Sequence, residues 1–137
     1  MKQLRSRNVE METRKRARGQ SLVEFALVLP LLILILLGVF DLGRAFNAYI
    51  VITNAAREGA YYGSLNPLDS NGIIARVMNE TQNSGIAVTA DDITVSCSGV
   101  KGSPMLITVS HDFSLITSFL IGTQVIQLQG RAEMMVL

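Results

Sequence analysis

From Gln20 to Phe40 the chain runs through 21 residues with a single charged side chain, Glu24. Coiled at about 1.5 Å per residue, a run of that size is roughly 30 Å long, the thickness of bilayer hydrocarbon. Backbone amides and carbonyls in hydrocarbon must be satisfied within the segment itself, so the run predicts one membrane-spanning helix. Everything else the chain folds into hangs from that helix. Residues 63–137 are left for a soluble domain, and a segment of that size buries only a modest core.

Charge orients the span. Ahead of Gly19 stand seven basic residues (Lys2, Arg5, Arg7, Arg14, Lys15, Arg16, Arg18) against two acidic ones (Glu10, Glu12), whereas after Phe40 there are five basic and eight acidic residues. A Lys/Arg excess beside a span is retained in the cytoplasm, which predicts the N-terminus inside and the C-terminal part outside. The same basic stretch has no aromatic residue for base stacking and abuts a membrane helix, so nucleic acid is not an expected partner. Nor does the run suit an ordinary secretory signal, whose apolar part is about 7 to 15 residues long. Gly43-Arg44-Ala45 has small residues at the right spacing for that cleavage, but with an Arg between them and Asp41 just upstream. Cys97 is the only cysteine, which excludes a disulfide within the chain and is expected to act as a small apolar residue.

The helix is expected to continue past the bilayer. No proline occurs between Asp41 and Tyr62, and Ala45, Ala48, Ile52, Ala55, Ala56, Gly59 and Tyr62 recur at spacings of three and four, predicting a helix from about Ser21 to Tyr62. Two roles suit so many small residues: covering the chain's own sheet, or packing against neighbouring subunits. Gly63 to Gly72 is full of turn formers and is expected to end this helix. A short helix follows, with Ile73, Ile74, Val77 and Met78 as its apolar stripe, Arg76, Asn79, Glu80 and Gln82 facing away, and Gly85 closing it.

The period then changes to alternation. Ile93, Val95 and Cys97 alternate with polar residues, as do Ile107, Val109, His111 and Phe113, and Ser98 to Pro104 reads as the hairpin loop between them. A last strand is expected from Val125 to about Met134, with Ile126, Leu128, Ala132 and Met134 on one face and Gln127, Gln129, Arg131 and Glu133 on the other. The fold class is therefore α+β: a long N-terminal transmembrane helix extending into a small head with a short helix and a three-stranded antiparallel sheet. Leu115 to Ile121 is too apolar for an ordinary connection. It is expected to cap the core, with the membrane surface and a neighbouring chain as the alternatives.

Catalysis has little to work with. His111 is the only histidine and Asp112 follows it, but neighbours in a strand point to opposite faces and cannot form the hydrogen bond of a hydrolytic triad. One His, one Cys and the Asp91-Asp92 pair have no metal-ligand spacing, and Asp91-Asp92 is read as a turn leading into a strand. No phosphate-binding glycine loop is present, so an enzyme is not expected and no cofactor is implied.

Glu24 has two readings. It lies near enough to the cytoplasmic end of the span for its side chain to reach the headgroups. Alternatively it stays charged in the membrane beside a cation, and a new amine at Gln20 would be one. The stretch Arg18-Gly19-Gln20-Ser21-Leu22-Val23-Glu24-Phe25 resembles the processing site of type IV pilin-like precursors, which a membrane-embedded prepilin peptidase cuts after the glycine. Extended through Ala26-Leu27-Val28-Leu29-Pro30, with Asp41-Leu42-Gly43-Arg44 and Asn54-Ala55-Ala56-Arg57-Glu58-Gly59-Ala60 beyond, the pattern is similar to the TadE/TadG-like minor pilins of the tight-adherence (Flp-type) pilus machinery. The resemblance covers residues 18–63, and the head only in its size and strand-rich ending. Phe25 stands where major pilins of this system usually carry Tyr, which favours a minor pilin. Gln20 stands where many type IV pilins have an N-methylated Phe. The large extra domain of long TadG forms does not occur in these 137 residues, which makes TadE the expected closer relative.

This resemblance implies a precursor with a cleaved leader (residues 1–19), a transmembrane and extended helix (20–62) and an extracytoplasmic head (63–137), sited in the cell (inner) membrane. It implies prepilin peptidase, other pilin and minor pilin subunits, inner-membrane assembly machinery and the lipid bilayer as partners. Gly19 and Gln20 would be the processing site, and Glu24 with Phe25 the assembly contact that sets register. Pro30, which lacks an amide hydrogen, would kink the helix and assist extraction from the bilayer, or is simply a tolerated membrane-helix proline. The competing class is an unprocessed, signal-anchored protein whose head binds a ligand or partner.

Overall fold

The computed structural model describes the backbone of residues 2–122 and 125–137, and the side chains of residues 19–119, 122 and 125–137. The side chains of the basic leader, Lys2 to Arg18, and those of Leu120 and Ile121 in the apolar 115–121 segment lie outside the described residues. In chain order the elements are α1 (Lys2–Leu65), α2 (Ser70–Asn83), a single 3-10 turn (Ala90–Asp92), β1 (Ile93–Cys97), β2 (Pro104–Ser114), α3 (Ser118–Ile121) and β3 (Val125–Met135). They form two compact units, one ending at Val39 and the other comprising Phe40–Leu137. The architecture is the expected α+β arrangement of one long apolar helix and a small head.

The first unit is formed by the N-terminal part of α1. Its large apolar side chains from Leu22 to Leu36 are exposed, as a helix surrounded by lipid requires. The stretch Gly19–Leu65 contains a window long and apolar enough to cross a membrane. Gly19 lies inside α1, so the helix extends past the expected start at Ser21.

In the second unit, β1, β2 and β3 form an antiparallel sheet in that order. Ile93 pairs with Val109 and Cys97 with Met105, while β2 pairs with β3 from Pro104↔Met135 to Ser114↔Val125. The core joins Ile52, Ala55, Ala56 and Ala60 of α1 and Ile73 and Val77 of α2 to Met105, Ile107 and Val109 of β2. The small residues of α1 thus cover the chain's own sheet, the first of the two roles open to them. On other faces of α1, Leu42, Phe46, Tyr49, Ile50 and Tyr61 are exposed.

Local chemistry accounts for the second helix. Asp69 caps it by accepting from the Gly72 amide at 2.9 Å, and the same carboxylate accepts from the Tyr62 hydroxyl at 2.8 Å, tying α2 to α1. At the other end Gly85 adopts a φ of 74°, with Gly85 N–H donating to Gln82 O and Ile86 N–H to Thr81 O, the paired bonds of a Schellman ending. The sheet is entered through the 3-10 turn, where the Thr89 amide and hydroxyl both donate to Asp92, as the turn reading of Asp91-Asp92 requires.

Three expectations need correction. First, α1 ends at Leu65 rather than at Tyr62, so Gly63 and Ser64 are helical and buried. A Cβ on Gly63 would run into Met105 and Ile73, so this glycine allows close packing and does not make a turn. Ser70 to Gly72, also read as turn, form the first turn of α2. Second, β2 begins at Pro104, before the expected Ile107; a proline fits the first position of a strand. Third, the described side chains of the 115–121 segment do not all turn to the core. Phe113 and Thr117 are buried, but Ile116 is 42% exposed and Phe119 74%. The inward face of β3 is also thinner than expected, since Ile126 is exposed while Leu128, Ala132 and Met134 are partly buried.

Candidate processing and assembly site

The residues expected to carry processing and assembly all lie on the first unit. Gly19, Gln20, Glu24, Phe25 and Pro30 are helical and exposed, and nothing lies within 4 Å of where a Cβ on Gly19 would be. The helix brings Gln20 and Glu24 together, four residues apart on one face, with Gln20 Nε2 donating to Glu24 Oε1 at 3.2 Å. The carboxylate therefore meets a neutral amide. Phe25 projects from the helix at 58% exposure, free to contact lipid or another helix. Pro30 is accommodated within α1, which continues on both sides of it.

A second constellation, anchored one residue beyond the apolar run, was visible in the sequence only as part of a motif. Asp41 is 3% exposed. Its Oδ1 accepts from the Ile116 amide at 3.0 Å, and its Oδ2 from the Thr117 amide at 2.9 Å and the Thr117 hydroxyl at 2.8 Å. Arg44, one turn on, lies 3.3 Å from the same carboxylate. It also donates to the Ser114 carbonyl at 3.4 Å and stacks over the Phe113 ring at 5.0 Å. Burial pushes the Asp41 carboxyl up, but the two amides, the hydroxyl and Arg44 outweigh it and hold it below the ordinary 3.8. The signal available in sequence was an Asp with Arg three residues later, directly after a span; its partners, 75 and 76 residues away, were not readable.

Replacing Asp41 by alanine is expected to release the segment it holds. In hydrogen exchange of the full chain in detergent micelles, the Ile116 and Thr117 amides should exchange at least about tenfold faster, while strand amides such as Val109 hold. Acid should weaken the same clamp. Asp41, Asp69 and Asp92 all sit below their ordinary value, so the unfolded chain binds protons more readily. Their contribution is present above about pH 3.8 and disappears as pH falls through the lower folded values.

Elsewhere in the head, His111 pairs across the sheet with Leu128 and Asp112 with Gln127 on the opposite face, so they do not converge. Among the described residues no group of His, Cys, Asp and Glu is placed to hold a metal ion. Cys97 is half-buried and free, and its Sγ accepts from the Gly99 amide.

Neither the comparison with curated proteins nor that with solved structures finds a match. The comparison with protein families does: the model of the family described as TadE-like protein matches residues 19–60. That match takes in the glycine, the carboxylate, the apolar run and the Asp41-Arg44 clamp, and it ends inside α1. Over the helix from Gly19 to Ala60, this chain is similar to the TadE-like proteins.

Proposed function

We propose that the chain is the precursor of a TadE-like minor pilin, processed by a prepilin peptidase after Gly19 and acting in assembly or initiation of an adhesive, tight-adherence pilus. It is a membrane-anchored subunit of structural rather than catalytic character, with its N-terminus in the cytoplasm and its head outside the inner membrane. The observation that supports this most is the family match beginning at Gly19, the residue whose spacing to Glu24 resembles a prepilin cut site. Glycine suits such a site physically. A protease needs its substrate extended, and a glycine leaves a helix at about 1 kcal/mol less cost than alanine would.

Cleavage would remove the seven cations of the leader and free one amine at Gln20. In a bundle of such helices, the Glu24 carboxylate of one subunit pairs with the Gln20 amine of another. A buried charge without its partner is expensive, so this pairing would fix axial register. Pro30, one and a half turns on, removes one amide donor from the helix ladder and eases bending as the subunit leaves the bilayer. The partners in this reading are the peptidase, other pilin and minor pilin subunits and the inner-membrane assembly machinery.

Mass spectrometry of the mature N-terminus tests it. In cells that contain the peptidase the chain should begin at Gln20, and Gly19→Ala should leave it starting at Met1 with membrane insertion unchanged. A wild-type chain that keeps Met1 in those cells would overturn the reading.

A further inference from the structure

The sheet is ragged at one corner. β1 covers β2 only from Met105 to Val109, whereas β2 runs on to Ser114, so the β1-side edge of residues 110–114 has no strand beside it. The connection Ser84–Ala87 passes this stretch, and among the described residues no backbone hydrogen bond joins the two. Between them lies a cleft of about 250 Å³, closed from a third side by α1. Its apolar lining is Ala48 of α1, Ile86 of the connection and Phe113 of β2, and its polar lining includes Arg44, Asn47 and His111. All six belong to the same compact unit.

Arg44 is fixed there before any ligand arrives. Its Nη1 faces the Asp41 carboxylate at 3.3 Å and donates to the Ser114 carbonyl at 3.4 Å, while the guanidinium stacks on the Phe113 ring. Those hydrogen bonds use one nitrogen. Among the described residues Nε and Nη2 have no hydrogen-bond partner, and neither do the Asn47 side chain and the His111 ring. The remaining guanidinium N–H groups form a planar fork that matches a carboxylate, and an imidazole has at least one N–H to donate in either protonation state. Because Asp41 and Phe113 already hold the Arg44 side chain, little freedom is left for it to lose on binding. Charge sets the class of ligand. Asp41 offsets Arg44, and Asp92 is near enough to His111 for their charges to interact, so the cleft suits one negative charge rather than the two of a phosphate. The apolar lining favours that charge carried on an aliphatic body.

We infer that this cleft binds the C-terminal carboxylate of an extended, apolar peptide segment of a partner protein, with the acid on Arg44 and His111 and the last side chain against Ala48, Ile86 and Phe113. An aliphatic C-terminal residue carries its acid and its apolar side chain on one carbon, which suits donors and apolar lining that share one small cleft. The open edge of β2 selects a peptide over a free acid, since residues 110–114 present backbone groups with which an added strand can pair. Every residue involved lies in the second compact unit, so binding is independent of the membrane span and of cleavage after Gly19.

His111 is the only histidine, so its ring resonances report on the cleft without overlap. The full chain in dodecyl maltoside micelles is titrated with N-acetyl-alanylvaline at constant pH and ionic strength. The His111 ring signals should shift and saturate with a Kd on the order of 1 mM. The C-terminal amide of the same peptide should bind at least about tenfold more weakly. So should isovalerate, which has the acid without the peptide, and N-acetyl-aspartylvaline amide, which has the acid on a side chain. Two positions locate the site. Arg44→Gln should bring acid and amide to equal affinity, a ratio that loss of packing alone does not single out, and Arg44→Lys should restore part of the preference. Ala87→Trp, at an exposed position on the cleft wall, should weaken binding at least about tenfold while strand amides such as Val109 keep their resonances. A wild-type chain with no saturable shift, or with equal affinity for acid and amide, would overturn the inference, as would an unaltered affinity in Ala87→Trp. Isovalerate, the aspartyl peptide or inorganic phosphate binding as tightly as N-acetyl-alanylvaline would overturn the peptide C-terminus as the ligand.

Discussion

Gly130→Ala is expected to detach α1 from the sheet. A Cβ at this position would lie 2.7 Å from the Ile52 carbonyl carbon and the Thr53 nitrogen, and 2.9 Å from the Ile52 oxygen. All three are backbone atoms of a helix, which cannot turn aside as a side chain can. The helix must lift, and lifting it opens the contacts that Ile52, Ala55 and Ala56 make in the core. Overpacking of this kind costs about 3 kcal/mol, which for a unit of this size lowers Tm by about 12 °C. Half-buried Cys97 supplies the probe: thiol labelling of the full chain in micelles during a thermal ramp should begin correspondingly earlier in the variant. Gly43→Ala is the control. Nothing lies within 4 Å of its Cβ position, and alanine is the better helix former by about 1 kcal/mol, so its transition should stay or rise. A Gly130→Ala chain that melts with the wild type would show that backbone contact between helix and strand is not what holds the head together.

The second large effect concerns assembly. Glu24→Ala should leave insertion and cleavage intact but reduce co-purification of other pilus subunits by at least about tenfold, because the mature Gln20 amine of a neighbour would then be buried without a counter-charge. The uncut structure sharpens the test. There Glu24 accepts from the Gln20 side-chain amide of its own chain, at 3.2 Å, an exposed contact of small worth. Removing Glu24 from a Gly19→Ala chain should therefore change little further, since the amine it serves has not been made. If the two substitutions add instead of masking one another, Glu24 acts through something other than the new N-terminus.

Much of this architecture was legible in the residues because each element announces its own period. The apolar run sets the span, Ile73 and Val77 set the face of α2, and the alternation through Ile107 and Val109 sets the inward side of β2. Elements failed to announce themselves where a residue's role depends on something distant in sequence. Gly63 reads locally as a helix breaker, yet it is helical because Met105 and Ile73 press against it. Gly130 draws no attention within an alternating strand, although it lies directly against the backbone of α1. Phe119 looks like core by composition and is exposed by topology, because Asp41 fixes the connection at the end of the sheet and not over its face. The residues proposed for processing and assembly are the reverse case: their spacing is entirely local, so the proposal is read from the sequence, and in the structure they are exposed residues on α1, among which Gln20 and Glu24 are in contact.

The fixings of the head to α1 lie at opposite ends of one helical stretch, Asp41 at the start and Ser64 at the finish, about 35 Å apart along the axis. A tug along α1 therefore reaches the sheet as sliding of one packed surface past another. All the intervening contacts resist together, and none is first in line to be peeled. A head fastened this way stays with its helix when the helix is pulled along its axis.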